Sequence, residues 1–432
     1  MAPIPRFSRL MKSESFRPLL LYTGSNFLNK GITFLLLFYF TRVLSEADFG
    51  VLSLFNTALL LLTPLISLGL LQSATADYFK LGKEGFRNFM AGALWLPLLL
   101  ALLFSGGSFV FRNALAERFH ITPLLAIALP LIAWLVFLHE LLTILMRNRN
   151  QPVLYFLSGT GRLLVEIAVA VFLISLCGWD WIGRVTGVVV SYGVVAVYAL
   201  FYFWRHDDLS GNLRSAPIRQ ELNYGGPVFL FQLGVFLLGA SGIWFIEYVT
   251  RNLAAVGVYS VAVTFASIIN VFCIALLQYV QPRLYALLGN PREHAAAIRR
   301  LFLFYLFAHV AFTLLVVAIV PVVYIYLLKP AYRAGLDYYL WLCLGQFCWA
   351  IAYFFISWLL YHKLKKKIVF LASMAILIVF VLNALLVQVA GSSGAAIASF
   401  VAYAFMLLLS LILVRQPIRE IDRARSFNKY HD

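Results

Sequence analysis

Apolar residues run through this chain in long blocks, separated by short turns rich in polar residues, Gly and Pro. About 20 residues at helical rise cross a bilayer core, and twelve blocks reach that length. In the first half they are Pro18–Val43, Phe49–Phe79, Phe89–Val110, Pro123–Met146, Pro152–Leu176 and Trp181–Trp204. In the second they are Tyr224–Val249, Val256–Tyr279, Leu301–Leu328, Gly335–Trp358, Ile368–Ala390 and Gly394–Val414. Three begin at Pro, which suits a first helical turn because the N–H it lacks has no intrahelical partner there. The pattern predicts an all-α integral membrane protein of about twelve transmembrane helices in two six-helix bundles. The bundles occupy 18–204 and 221–414, joined by a polar linker at 205–220 and flanked by basic ends at 1–17 and 415–432.

An internal echo supports two homologous halves. Thr41-Arg42-Val43-Leu44, followed by Gly50-Val51-Leu52-Ser53, answers to Thr250-Arg251-Asn252-Leu253, followed by Gly257-Val258-Tyr259-Ser260. Upstream, Tyr22-Thr23-Gly24 answers loosely to Tyr224-Gly225-Gly226. Six spans per half is an even number, so the halves share an orientation and are expected to be parallel repeats about an axis along the membrane normal.

Composition agrees with the pattern. The 432 residues are 62% hydrophobic and 12% charged, against an apolar share of about 45 to 50% in soluble domains. A net charge of +16 raises the question of nucleic acid, but the charges sit between apolar spans without a base-stacking motif beside them. They read instead as topology signals and contacts to anionic lipid. Of the 34 Lys and Arg, 25 fall at the termini and in alternate loops and seven in the intervening loops. By the positive-inside rule both termini are cytoplasmic, and the basic tail reads first as a plain solvated tail and second as a basic helix on the anionic leaflet. The four cysteines form no CxxC or Cys/His pairing, so no metal site is expected. No loop exceeds roughly 20 residues, which leaves no soluble catalytic domain and predicts a transporter rather than an enzyme.

Two cations remain inside the spans. Lys30 lies roughly 18 Å deep in the first span by helical rise, a costly place for an ammonium unless it faces a bundle interior or a watery cavity. Asn26 and Asn29 share its helix face by the i, i+3, i+4 rule. In span five Arg162 lies roughly 15 Å deep, with Glu166 one turn on, a spacing at which the two can pair. The bland reading is an ion pair that makes both charges tolerable. The functional reading has Lys30 and Arg162 line one cavity as anion ligands, with Asn26 and Asn29 beside them. Glu166, and Glu140 in span four, then balance the charge or take a coupling cation, H+ or Na+. Arg42, Arg251 and Glu247 fall near span ends and are candidates for the outer mouth. The second half's span interiors hold no Lys, Arg or Asp, so the deep positive charge belongs to the first half. That asymmetry suits a ligand with an anionic head and a large neutral remainder.

The segments GSNFLNKGITFLLLFYFTRVLSEADFGVLSLF and PLISLGLLQSATADYF resemble the opening of the polysaccharide biosynthesis proteins. These are the lipid-linked oligosaccharide flippases of the multidrug/oligosaccharidyl-lipid/polysaccharide exporter superfamily. AVGVYSVAVTFASIINVFCIALLQYVQPRLY is similar to that family's eighth span. The resemblance implies a MATE-like pair of bundles around a central cavity. It also implies transfer of an undecaprenyl-diphosphate-linked sugar unit, the repeat of an O-antigen, capsule or exopolysaccharide, to the outer leaflet of a bacterial cytoplasmic membrane. Alternating access, an ion gradient and polysaccharide polymerase or ligase partners are implied with it. One departure is Ile243-Trp244, where many relatives carry an Asp-Arg pair in span seven. Rival readings are a multidrug or toxin exporter of the same superfamily, which would favour acidic cavities, and a peptidoglycan-precursor flippase, typically of fourteen spans. From a different class, a membrane glycosyltransferase or polymerase would show a large outer loop or paired carboxylates at a membrane face.

Overall fold

A computed structural model describes residues 16–216, 218–289, 293–362 and 364–428, and every regular element among them is helical. In order, these are α1 (Phe16–Val43), α2 (Glu46–Ser67), α3 (Leu70–Asp77), α4 (Lys83–Val110), α5 (Arg112–Phe119), α6 (Pro123–Asn148), α7 (Pro152–Ser175) and α8 (Trp181–Arg205). They continue with α9 (Ile218–Thr250), α10 (Leu253–Leu287), α11 (Ala295–Leu327), α12 (Leu336–Tyr361) and α13 (Lys365–Asn428).

Among the described residues, nine helical stretches are long and apolar enough to cross a membrane. The last, Lys366–Val414, has 49 residues, roughly 73 Å if straight and over twice a bilayer core. It does not run straight. Gly391 leaves the helical region at φ 53 and ψ −129, a conformation that favours glycine. Gly394 then packs so closely that a Cβ on it would overlap the Leu386 carbonyl. The chain folds back there, and α13 is two antiparallel spans. Counted with α1 and α9, the described residues hold twelve.

The expected block Phe49–Phe79 is not one helix. It breaks at Leu68 (φ 46) and Gly69 (φ 81), which end α2 and redirect the chain into the short α3. A second short helix, α5, follows α4.

The chain divides into two compact units, one of residues 1–44 and 54–229, the other of 45–53 and 230–432. In the first, α6 is the central element, with Phe137, Leu138, Leu141, Leu142, Leu145 and Met146 fully buried. The linker is held to this unit up to residue 216. Gly211 packs on the Arg87 backbone, the Asn212 N–H donates to Asn88 Oδ1 at 2.7 Å, and Asp207 pairs with Arg87. Arg149 bonds both oxygens of Asp208 at 2.6 Å. Burial holds the Asp208 carboxyl above its ordinary value, although Arg149 beside it pulls the other way.

In the second unit, the first turns of α2 and α10 cross. A Cβ on Gly50 would overlap the Leu253 carbonyl oxygen, and one on Gly257 would overlap the Glu46 carbonyl oxygen. Each helix is capped five residues before its glycine. Asp48 N–H donates to Ser45 Oγ at 3.1 Å, and Ala255 N–H to Asn252 Oδ1 at 3.0 Å. Deeper in the unit, the Asn383 amide donates to Ser241 Oγ at 3.1 Å, and the Tyr305 hydroxyl to the Ala350 carbonyl at 2.7 Å. Both donors thus find partners within the bundle.

Candidate functional site

The site is built by close approach of α7 and α8. On α8 the run Gly183-Arg184-Val185-Thr186-Gly187 presents two glycines one turn apart. A Cβ on Gly187 would come within 2.6 Å of the Glu166 carbonyl oxygen, and one on Gly183 within 2.9 Å of Ile174. Small residues at this spacing let membrane helices touch backbone to backbone. That contact carries Arg184, between the glycines, onto Glu166.

Glu166 is therefore shared. Arg162, one turn back on α7, pairs with its Oε2, and Arg184 pairs with its Oε1. The Glu166 side chain is 6% exposed, against 16% for Arg162 and 17% for Arg184. The carboxylate is the buried centre, with a guanidinium on either side. Arg162 also stacks on the Tyr192 ring, 4.5 Å from its centroid, and Arg184 on Phe40 of α1 at 4.8 Å. Tyr192 in turn meets His139 edge to face at 5.7 Å, and its hydroxyl lies in the field of Arg162, Glu166, Glu140 and Arg184. Glu140, half-buried on α6, has no ion-pair partner among the described residues. In the triad itself two guanidinia share one carboxylate, and Glu140 is a second acid nearby.

The sequence pattern foretold the Arg162 and Glu166 pairing but not the third member. Arg184 counts with the outer loops by position, because it lies in the first turn of α8. The signal available was the Gly-x-x-x-Gly run that contains it.

The packed face of α1 belongs to Ser25 and Asn29, which meet Gly159 of α7. A Cβ on Gly159 would lie 3.1 Å from the Asn29 amide nitrogen, and that amide reaches Ser25 Oγ at 3.5 Å. Lys30 stands on the exposed face of the same helix and has no acidic partner among the described residues. The structure does not bring Lys30 and Arg162 into contact. The Asn26 side chain lies outside the described residues. Arg42 is exposed in the last turn of α1. Glu247 is buried to 1% and pairs with the more exposed Arg251 at 3.3 Å. Among the described residues no three His, Cys, Asp or Glu side chains gather as metal ligands.

Helices long and apolar enough to cross a membrane, in two compact units with a charged cluster inside the first, define a multi-pass membrane protein. Within that class the chain belongs to the polysaccharide biosynthesis protein family, whose model matches residues 16–286, more than half its length. Its fold is similar to a multidrug resistance MATE family transporter in an inward-facing conformation. The TM-score is 0.70 at 15% identity, over 94% of this chain and 95% of that one. It is equally similar to the lipid II flippase MurJ in an inward closed conformation, with a TM-score of 0.70 at 14% identity over 92% and 87%. No curated protein matches it in sequence. The chain is a multi-pass membrane protein of that family.

Proposed function

We propose that this protein is a flippase for an undecaprenyl-diphosphate-linked oligosaccharide, the repeat unit of an O-antigen, capsule or exopolysaccharide. It carries that lipid across a bacterial cytoplasmic membrane by alternating access, with both termini cytoplasmic. The observation that carries the reading is the triad at Glu166. Arg162 lies about 15 Å along α7, near the middle of a bilayer. There one carboxylate serves two guanidinia, and the excess positive charge is costly without an anionic ligand. A diphosphate is such a ligand, and guanidinium is the side chain best shaped to meet it. Lys30, exposed on α1, supplies a second cation, with Asn29 and Asn26 on the same helix. Glu140 is the acid left for a coupling cation, H+ or Na+, since Glu166 is occupied by arginines. Arg42, Arg251 and Glu247 are assigned to the outer mouth. A polysaccharide polymerase or ligase would receive the product, and anionic lipids would meet the basic loops.

Export of organic cations is the second reading, because the likeness to a MATE transporter equals that to the lipid II flippase. The excess of arginine in the site disfavours it. The test is a deletion strain complemented in turn by the wild type and by Lys30→Ala. The reading requires loss of a surface polysaccharide on deletion, recovery with the wild type, and no recovery with Lys30→Ala at normal membrane level. A deletion strain that keeps every surface polysaccharide and becomes drug-sensitive would overturn it in favour of the exporter.

A further inference from the structure

Toward their other ends α7 and α8 part. Where Gly183 and Gly187 close the pair at one end, Gly161 on α7 has open space in place of a side chain. Between the parted helices lies a cleft of about 390 Å³. Leu154, Leu157 and Val194 wall it, and Ser158, Arg162 and Tyr198 are its polar members. Leu157 and Val194 are more than half exposed, so the cleft opens on the surface of the unit. It is an apolar slot with Arg162 in its lining.

An acyl chain fits the walls but has no use for the arginine. A phospholipid's phosphate stays at the interface, whereas Arg162 lies about 15 Å in, near the midplane. The lipid whose phosphate must visit that depth is one being carried across. Arg162 also keeps donor capacity: its Nε–H is buried and unpartnered, although one of its terminal nitrogens is on Glu166. Arg184 holds the opposite oxygen of Glu166, so the carboxylate retains a partner when Arg162 turns to a ligand.

Resting on the flippase reading above, we propose that this cleft seats the first isoprene units of a polyprenyl diphosphate, with the phosphate next to the chain bound by Arg162. The sugar then travels elsewhere, while the junction of tail and diphosphate is held at mid-depth by one side chain.

Gly161→Leu is the decisive variant. It fills the slot, meets no neighbour within 4 Å as a Cβ, and improves helix propensity, so it should fold. The wild type and Gly161→Leu, reconstituted in liposomes, would be irradiated with a diazirine-bearing farnesyl diphosphate or with the matching farnesol, and the labelled peptides mapped. The expected result is labelling of residues 154–165 and 194–198 by the diphosphate, reduced about tenfold with the farnesol and about tenfold in Gly161→Leu, a ratio of the size one good polar contact supplies. In cells, Gly161→Leu at wild-type level should fail to restore polysaccharide. Equal labelling by the farnesol would make the cleft a plain lipid groove and overturn the inference. So would normal labelling and export by Gly161→Leu. Loss of polysaccharide on deletion, together with normal export by Gly161→Leu, would sink the cleft alone. A deletion strain with no polysaccharide defect would sink the flippase reading instead.

Discussion

Gly50 and Gly257 face each other in a reciprocal contact. Each occupies the space that a Cβ on its partner's helix would need, and each abuts the carbonyl of the residue four before the other, Leu253 for Gly50 and Glu46 for Gly257. The matching extends along both helices. Ser45 and Asn252 are the N-caps, and Ser53 and Ser260 each donate to the carbonyl four residues back at 2.8 Å. Both segments belong to the second unit. A contact in which equivalent residues exchange roles is what a two-fold relation between repeated motifs produces.

Valine at either glycine should prevent the crossing. Gly50→Val and Gly257→Val are each expected to cost more than about 3 kcal/mol, seen as loss of monodisperse protein on size exclusion. A variant with an unchanged melting temperature would show that the helices do not meet there.

Glu166 is the counter-charge for two arginines, so its removal should be worse than that of either partner. Glu166→Gln should destabilise by about 3 to 5 kcal/mol, the usual cost of stranding buried charge. Adding Arg184→Gln should restore part of that loss, because one cation is then stranded rather than two. Strict additivity of the two substitutions would argue against a shared carboxylate.

Lys30 and Arg162 should separate function from stability. Lys30 is exposed and unpaired among the described residues, so Lys30→Ala is expected to leave protein level unchanged, and Lys30→Arg to keep part of any transport. Arg162→Ala removes the Tyr192 stack and one Glu166 partner, so it should lower the protein level as well. Equal levels of both variants, measured by immunoblot of membranes, would contradict this placement of the two side chains.

The Arg149 and Asp208 pair offers a pH test outside the membrane. Burial already raises the Asp208 carboxyl, and Arg149→Ala should raise it further. A carboxyl whose folded value lies above its unfolded one favours the folded state at low pH, and that stability is lost as pH rises through the folded value. The melting-temperature gap between Arg149→Ala and the wild type should therefore narrow from about pH 8 to about pH 5. A gap that widens on acidification would reverse the assignment.

Topology is open to a direct check. A reporter fused after Arg415 should be active in the cytoplasm, and one fused near Ser45 only outside. Either result reversed would break the charge-based orientation.

The class of the helices and the twelve apolar blocks were legible in the sequence alone, because a bilayer demands about 20 apolar residues per crossing and each block meets that demand locally; the break at Leu68 and Gly69 and the short α3 and α5 were not. The likeness of its opening and eighth span to the polysaccharide biosynthesis proteins was equally local. The pairing of Arg162 with Glu166 was legible for the same reason, since i and i+4 share a helix face wherever the helix lies. What only tertiary structure decided is which faces meet. Arg184 reads as a loop charge until Gly183 and Gly187 bring α8 against the Glu166 backbone. The depth of Lys30 follows from counting, but that Ser25 and Asn29 rather than Lys30 take the packed face of α1 was decided by Gly159 of α7. Glu247 lies near a span end by counting, and that its side chain is buried against the bundle is a tertiary fact. Depth along a helix follows from counting residues, whereas direction around it depends on small residues of neighbouring helices far away in the chain, and no periodicity within one segment records them.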